Sequence, residues 1–151
     1  MRVLGIDVGR NKTGLAISSE ELELITPLRK IEVKLEHCPD KWFDELIYIL
    51  KKRSYEVHEI DKVVIGSWED NDYRNVEMKR LVKLAIKMIE AKTDWKVILV
   101  RETNTTVESR RILKELGISK NSSLHSIDSY AAFLLLIDYF ELVKPRQEDK
   151  K

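Results

Sequence analysis

Cysteine is all but missing from the chain. Cys38 is the only one in 151 residues, so neither an internal disulfide nor a cysteine-based zinc cluster can form. That suits a reducing compartment, and Cys38 itself reads as a filler near a helix start. An excess of charge is missing too. The 27 Lys and Arg residues oppose 26 Asp and Glu, a formal net charge of +1. This balance excludes a protein that coats nucleic acid through bulk electrostatics, and any such binding must use a local basic patch. Long apolar runs are missing as well. The most apolar stretch, residues 131–137, is far too short to cross a bilayer. Met1-Arg2 opens directly into a strand pattern with no leader ahead of it, so a cytoplasmic protein with no membrane association is expected. No repeat or linker divides the chain. Its length suits one domain with a proper core, expected over residues 1–143, followed by a disordered polar tail at 144–151.

What is there begins with Val3-Leu4-Gly5-Ile6-Asp7-Val8, a Gly9-Arg10-Asn11-Lys12 turn, and Thr13-Gly14-Leu15-Ala16-Ile17-Ser18. Two apolar segments around Gly and Asn predict a hairpin whose turn uses positive φ. Leu4, Ile6 and Val8 face one side of the first strand, and Val3, Gly5 and Asp7 the other. The period-two run Ile31-Glu32-Val33-Lys34-Leu35 predicts a third strand, after a turn near Glu20-Glu21. A helix capped by Asp40 is expected next, with Trp42, Phe43, Leu46, Ile47, Ile49 and Leu50 inward and Lys51-Lys52-Arg53 at its end. Val63-Val64-Ile65-Gly66 and Val97-Ile98-Leu99-Val100 read as buried strands, separated by a helix over residues 75–91. Thr105-Thr106-Val107-Glu108 has capping-box spacing for a helix that Gly117 closes, and a last helix spans residues 124–142. This order predicts an α/β fold: a mixed five-stranded sheet, three strands in an antiparallel meander and two parallel, flanked by helices.

Three acids stand out against this background. An ionised Asp7 in so apolar a strand needs a pairing partner, hydrogen bonds or a metal; backbone amides of its own turn are the simplest alternative. Glu102 follows the last strand, at the carboxyl end where ligands gather in parallel sheets. Asp128 shares a helix face with Leu124, Ala131, Ala132, Leu135 and Tyr139. It is either an inward carboxylate beside small residues that admit the sheet, or a first-turn acid facing helix-end amides. Clustered carboxylates repel unless cations neutralise them. An all-oxygen set selects Mg²⁺ or Mn²⁺, and two such ions would suit phosphodiester chemistry.

Gly5-Ile6-Asp7-Val8-Gly9 through Gly14-Leu15-Ala16-Ile17-Ser18, then Glu102-Thr103-Asn104-Thr105-Thr106-Val107-Glu108, then Ile127-Asp128-Ser129-Tyr130-Ala131-Ala132 together resemble the three motifs of the YqgF/RuvX family. The resemblance runs over residues 3–140. It implies an RNase H-like fold and a metal-dependent nuclease that matures the 5′ end of 16S ribosomal RNA or resolves Holliday junctions. It also implies that Asp7, Glu102 and Asp128 are the catalytic, metal-binding acids. The chain departs from the family pattern at Arg101 and Thr103, which flank the glutamate where the family has an acid and an arginine. Gly66-Ser67-Trp68 stands where the family has Gly-Leu-Pro, and Arg10-Asn11-Lys12 replaces Thr-Lys-Arg in the first turn. A non-catalytic RNA-binding factor is the alternative these changes suggest. Gly5-Ile6-Asp7-Val8-Gly9 is similar, too, to the phosphate loop of sugar kinases and actin-like ATPases, which need a second domain that 151 residues do not supply.

For substrate phosphates the candidates are Arg10 and Lys12 in the first turn, Arg101, and Arg110, Arg111 and Lys114 on one helix side; ordinary solvated charge is the competing reading. His125 is a candidate for positioning a water or leaving group, and Trp68 and Tyr73 for stacking on bases. The expected partner is an rRNA precursor or branched DNA, bound by a monomer or a homodimer in which Trp42, Trp68 and Trp95 support an interface.

Overall fold

The computed structural model describes residues 1–67, 76–101 and 127–143. Five strands form one sheet: β1 (Arg2–Val8), β2 (Thr13–Ser18), β3 (Ile25–Ile31), β4 (Ile60–Ser67) and β5 (Lys96–Arg101). Their spatial order is β3-β2-β1-β4-β5. β1 runs antiparallel to β2, and β2 antiparallel to β3. β4 is parallel to β1, and β5 is parallel to β4. Helices α1 (Pro39–Lys52), α2 (Val76–Lys92) and α3 (Ile127–Val143) complete the described architecture, with a short 3₁₀ turn over Val57–Glu59. The mixed sheet expected from the sequence is therefore present, meander and parallel strands included.

The alternation of β1 divides the core in two. Leu4, Ile6 and Val8 join Leu15, Ile17, Val63 and Ile65 in the larger cluster, which packs against α1 and α2 through Trp42, Leu46, Leu81 and Ala85. Val3 faces the opposite side with Ala16, Val64 and Val100, under Ala132, Leu135, Leu136 and Tyr139 of α3. The sheet is thus sandwiched between helices. Trp42, wholly buried, donates Nε1–H to Thr13 Oγ1 at 2.9 Å, which fastens α1 to the start of β2.

Four local expectations change. The third strand is Ile25–Ile31 rather than residues 31–35. It contains Pro27, which lacks a ladder donor yet is tolerated because β3 is an edge strand. Val33 and buried Leu35 reach the core from the following loop instead. Helix α1 is entered from Cys38, with Pro39 in its first turn and Asp40 just inside, so Asp40 is not the N-cap. Strand β5 is an edge rather than a buried strand, and Leu99 is 52% exposed. Neither Gly9 nor Asn11 takes a positive φ; Gly9 is required because a Cβ there would overlap the Lys12 carbonyl oxygen.

Trp42 and Trp95 are core residues, not interface residues; Trp95 is buried and donates Nε1–H to the Val57 carbonyl at 3.1 Å. Among the described residues no helix is long and apolar enough to cross a membrane. The helix expected over residues 105–117 and the tail at 144–151 lie outside the described residues.

Candidate nuclease site

The parallel strands β1, β4 and β5 end at one rim of the sheet. Register carries this across: Ile6 is level with Ile65, Ile65 with Leu99, and Ser67 with Arg101. Asp7 is thus the penultimate residue of β1 at that rim, half-buried and paired with Gly14 across the hairpin. Arg101, exposed, ends β5 two strands away, roughly 10 Å at ordinary strand spacing. Glu102 comes next in sequence and lies outside the described residues.

Asp7 shares its side of β1 with Val3 and Gly5, the side covered by α3. Gly5 is what lets the helix come so close. A Cβ there would stand 2.8 Å from Leu136 Cγ and 3.0 Å from the Ala132 carbonyl oxygen. Its cross-strand neighbour is Ala16, so a floor of small residues lies under the helix. Of the small Ala131 and Ala132 expected to permit close approach, both are buried, and Ala132 lies in this contact layer.

The beginning of α3 is anchored separately. Ser129, buried, donates its hydroxyl to the Leu28 carbonyl at 2.6 Å. Leu28 is level with Leu15, and Leu15 with Ile6. The first turn of α3 is therefore fixed at the sheet level of Ile6, one residue short of Asp7. Asp128 is the second residue of the helix, next to Ser129 and one turn before Ala132; the description of side chains in α3 starts at Ser129. Two anchors, one on β3 and one on β1, hold this helix end at the Asp7 rim.

The turn that follows β1 supplies two cations. Lys12 is exposed. Arg10 is 61% exposed and its guanidinium lies 3.1 Å from the carboxylate of Glu77, the second residue of α2. Glu77 was not legible as a site residue, because the chain holds many glutamates and only the fold brings this one to the turn. Its one sequence signal is an acid in a first helical turn, where helix-end amides favour it. Of the other candidates, Arg110, Arg111, Lys114, His125, Trp68 and Tyr73 lie outside the described residues. No group of three or more metal-ligating side chains occurs among the described residues, which include one of the three acids' side chains.

Whether the donor set suits a hard cation turns on Asp7. It is an oxygen donor at a strand end on the helix-covered side, partly open to solvent, and no cysteine stands near it in the sequence. This chemistry fits Mg²⁺ or Mn²⁺ and fits no soft metal.

The family model described as "RuvX: Holliday junction resolvase" matches residues 1–142. A protein of Acetivibrio thermocellus named "Putative pre-16S rRNA nuclease" is 31% identical over 154 aligned positions, covering 93% of this chain and 96% of the relative. One of the same name from Nitrosomonas europaea is 29% identical, covering 93% and 89%. Among solved structures, Thermus thermophilus RuvC in complex with a Holliday junction substrate superposes with a TM-score of 0.55. It is 15% identical, over 95% of this chain and 97% of that one. A likeness at that identity speaks to the fold alone, and the fold is the RNase H-like one.

Proposed function

The chain belongs to the RuvX family, and from that premise we propose that it is a divalent-metal-dependent endonuclease acting on the 5′ region of the 16S ribosomal RNA precursor. The observation that carries the reading is the convergence on one rim. Asp7 is the penultimate residue of β1 there, the first turn of α3 is anchored at nearly the same sheet level, and β5 stops there one residue before Glu102 in the sequence. Glu102 has the sequence parity of Ile98 and Val100, the β5 residues on the α3 side. The names borne by relatives of full length supply the substrate, which assigns the protein to the cytoplasm.

Asp7, Glu102 and Asp128 would hold the ions, Mg²⁺ or Mn²⁺ and in all two of them. Bound there, such ions supply a Lewis-acid clamp on the attacking water and the leaving oxygen. The chain's own contribution is placement. Asp7 belongs to β1 and Asp128 to α3, whose relative position is set by Gly5 and Ser129, and Glu102 follows β5 in the sequence. Arg10 and Lys12, three and five residues beyond Asp7, orient the phosphate backbone by charge-assisted hydrogen bonds, with Arg101 at the far side of the rim. No side chain serves as nucleophile.

The test is cleavage of precursor 16S RNA and of branched DNA in Mg²⁺ or Mn²⁺. The RNA is expected to be cut, and Asp7→Asn is expected to lower the rate at least ~100-fold, the scale of losing several kcal/mol of electrostatic stabilisation. Undiminished cutting by Asp7→Asn would refute the reading. The family's description as a resolvase favours a second substrate, and cutting of the branched DNA alone would establish it in place of RNA.

A further inference from the structure

We infer that Glu77 is a positioning residue which holds Arg10 at the Asp7 rim and yields it to a backbone phosphate, thereby setting how tightly the site takes RNA. This rests on the proposed role of Arg10 in phosphate contact.

Arg10 sits in a turn of four residues whose flanking strands are locked by the Val8–Thr13 pairing. The turn fixes its backbone, but an arginine side chain leaving such a turn has many rotamers and an entropy to lose on binding. Glu77 removes part of that freedom. Its carboxylate lies 3.1 Å from the guanidinium, and it projects from the first turn of α2, a regular 17-residue helix. The two partners come from different layers of the fold, so the pair ties the hairpin turn to a rigid helix end.

The pair is also open. Arg10 is 61% exposed and Glu77 41%, so solvent and ligand reach both groups. An ion pair this exposed is weak. A backbone phosphodiester offers the guanidinium two anionic oxygens, as the carboxylate does, and the same single charge. The carboxylate therefore acts as an internal stand-in for phosphate: it occupies the guanidinium while the site is empty and is displaced when RNA arrives. Its cost to binding is one compensated positive charge. In a chain whose net charge is only +1, bulk attraction for RNA is weak, so one charge at the rim is felt.

The experiment is fluorescence anisotropy of a labelled RNA hairpin carrying the precursor 16S 5′ junction, in EDTA to prevent cleavage, over a series of KCl concentrations. Glu77→Gln is expected to tighten binding about three-fold at low salt. It should also steepen the slope of log Kd against log salt by up to ~0.7, the effect of one uncovered cation. Glu77→Asp, which keeps the charge, should behave as wild type. Arg10→Gln should weaken binding, and Glu77→Gln should add nothing in that background. Unchanged or weaker binding by Glu77→Gln, an unchanged salt slope, or an effect that persists without Arg10 would overturn the inference. If Arg10→Gln weakens binding while Glu77→Gln is silent, the inference alone falls. If Arg10→Gln is itself without effect, the phosphate role of Arg10 falls with it.

Discussion

Ala132 presses its backbone carbonyl oxygen against the face of Gly5, so closely that a methyl group at Gly5 would stand 3.0 Å from it. A carbonyl in mid-helix cannot swing aside as a side-chain tip can. Gly5→Ala must therefore lift α3 from the sheet, at a cost of about 1–3 kcal/mol by analogy with overpacked cores. Urea unfolding is the check. Because α3 carries Asp128, Mn²⁺ affinity should fall in the same variant. An unchanged unfolding midpoint would mean the helix is not seated on Gly5.

The Trp42–Thr13 hydrogen bond sits wholly inside the larger core. Trp42→Phe leaves a buried hydroxyl without its donor, and Thr13→Val leaves a buried indole N–H without its acceptor. Each is expected to cost about 1–3 kcal/mol. With both polar groups gone the penalty for the orphan disappears. The double variant should accordingly lose ~1 kcal/mol less than the two singles added together. Strict additivity would show that the bond contributes nothing.

Acid sensitivity should arise in part from Glu59. Its carboxylate accepts a hydrogen bond from the Glu56 backbone N–H at 2.8 Å and another from Arg2 Nε at 3.2 Å. The backbone bond first, then the arginine, hold its pKa below the usual 4.5. A depressed carboxylate adds stability that is fully present above the unfolded-state value and is lost as pH falls through the folded-state one. Urea midpoints should decline below pH 4.5 in the wild type and decline less steeply in Glu59→Gln. Parallel curves for the two proteins would contradict this.

The strands that build the rim were readable because their chemistry is local. Val63-Val64-Ile65 is an unbroken apolar run, and the alternation of β1 correctly separated the Leu4, Ile6, Val8 face from that of Val3, Gly5 and Asp7. β3 was misplaced because the period-two alternation of residues 31–35 imitates a strand, whereas the true strand, Ile25–Ile31, carries Pro27, harmless at its edge position. Leu99 looked buried for the converse reason: a hydrophobic run does not reveal that its strand, among the described residues, has a neighbour on one side only. At the site, Asp7 announced itself as a charge among apolar residues. What Gly5 does could not be read, since a glycine's spacing says nothing of the helix lying above it. The Arg10–Glu77 pair was equally hidden, as it joins a turn to a helix that sequence keeps far apart.

As proposed above, Asp7, Glu102 and Asp128 meet around divalent cations. Anomalous diffraction from a crystal soaked in Mn²⁺ tests this with no assumption about substrate. Strong peaks are expected beside Asp7, each within coordination distance of carboxylate oxygens from these three residues. An Asp7 with no peak next to it, or one turned onto a lysine in a dry interior, would contradict a metal site built on these acids.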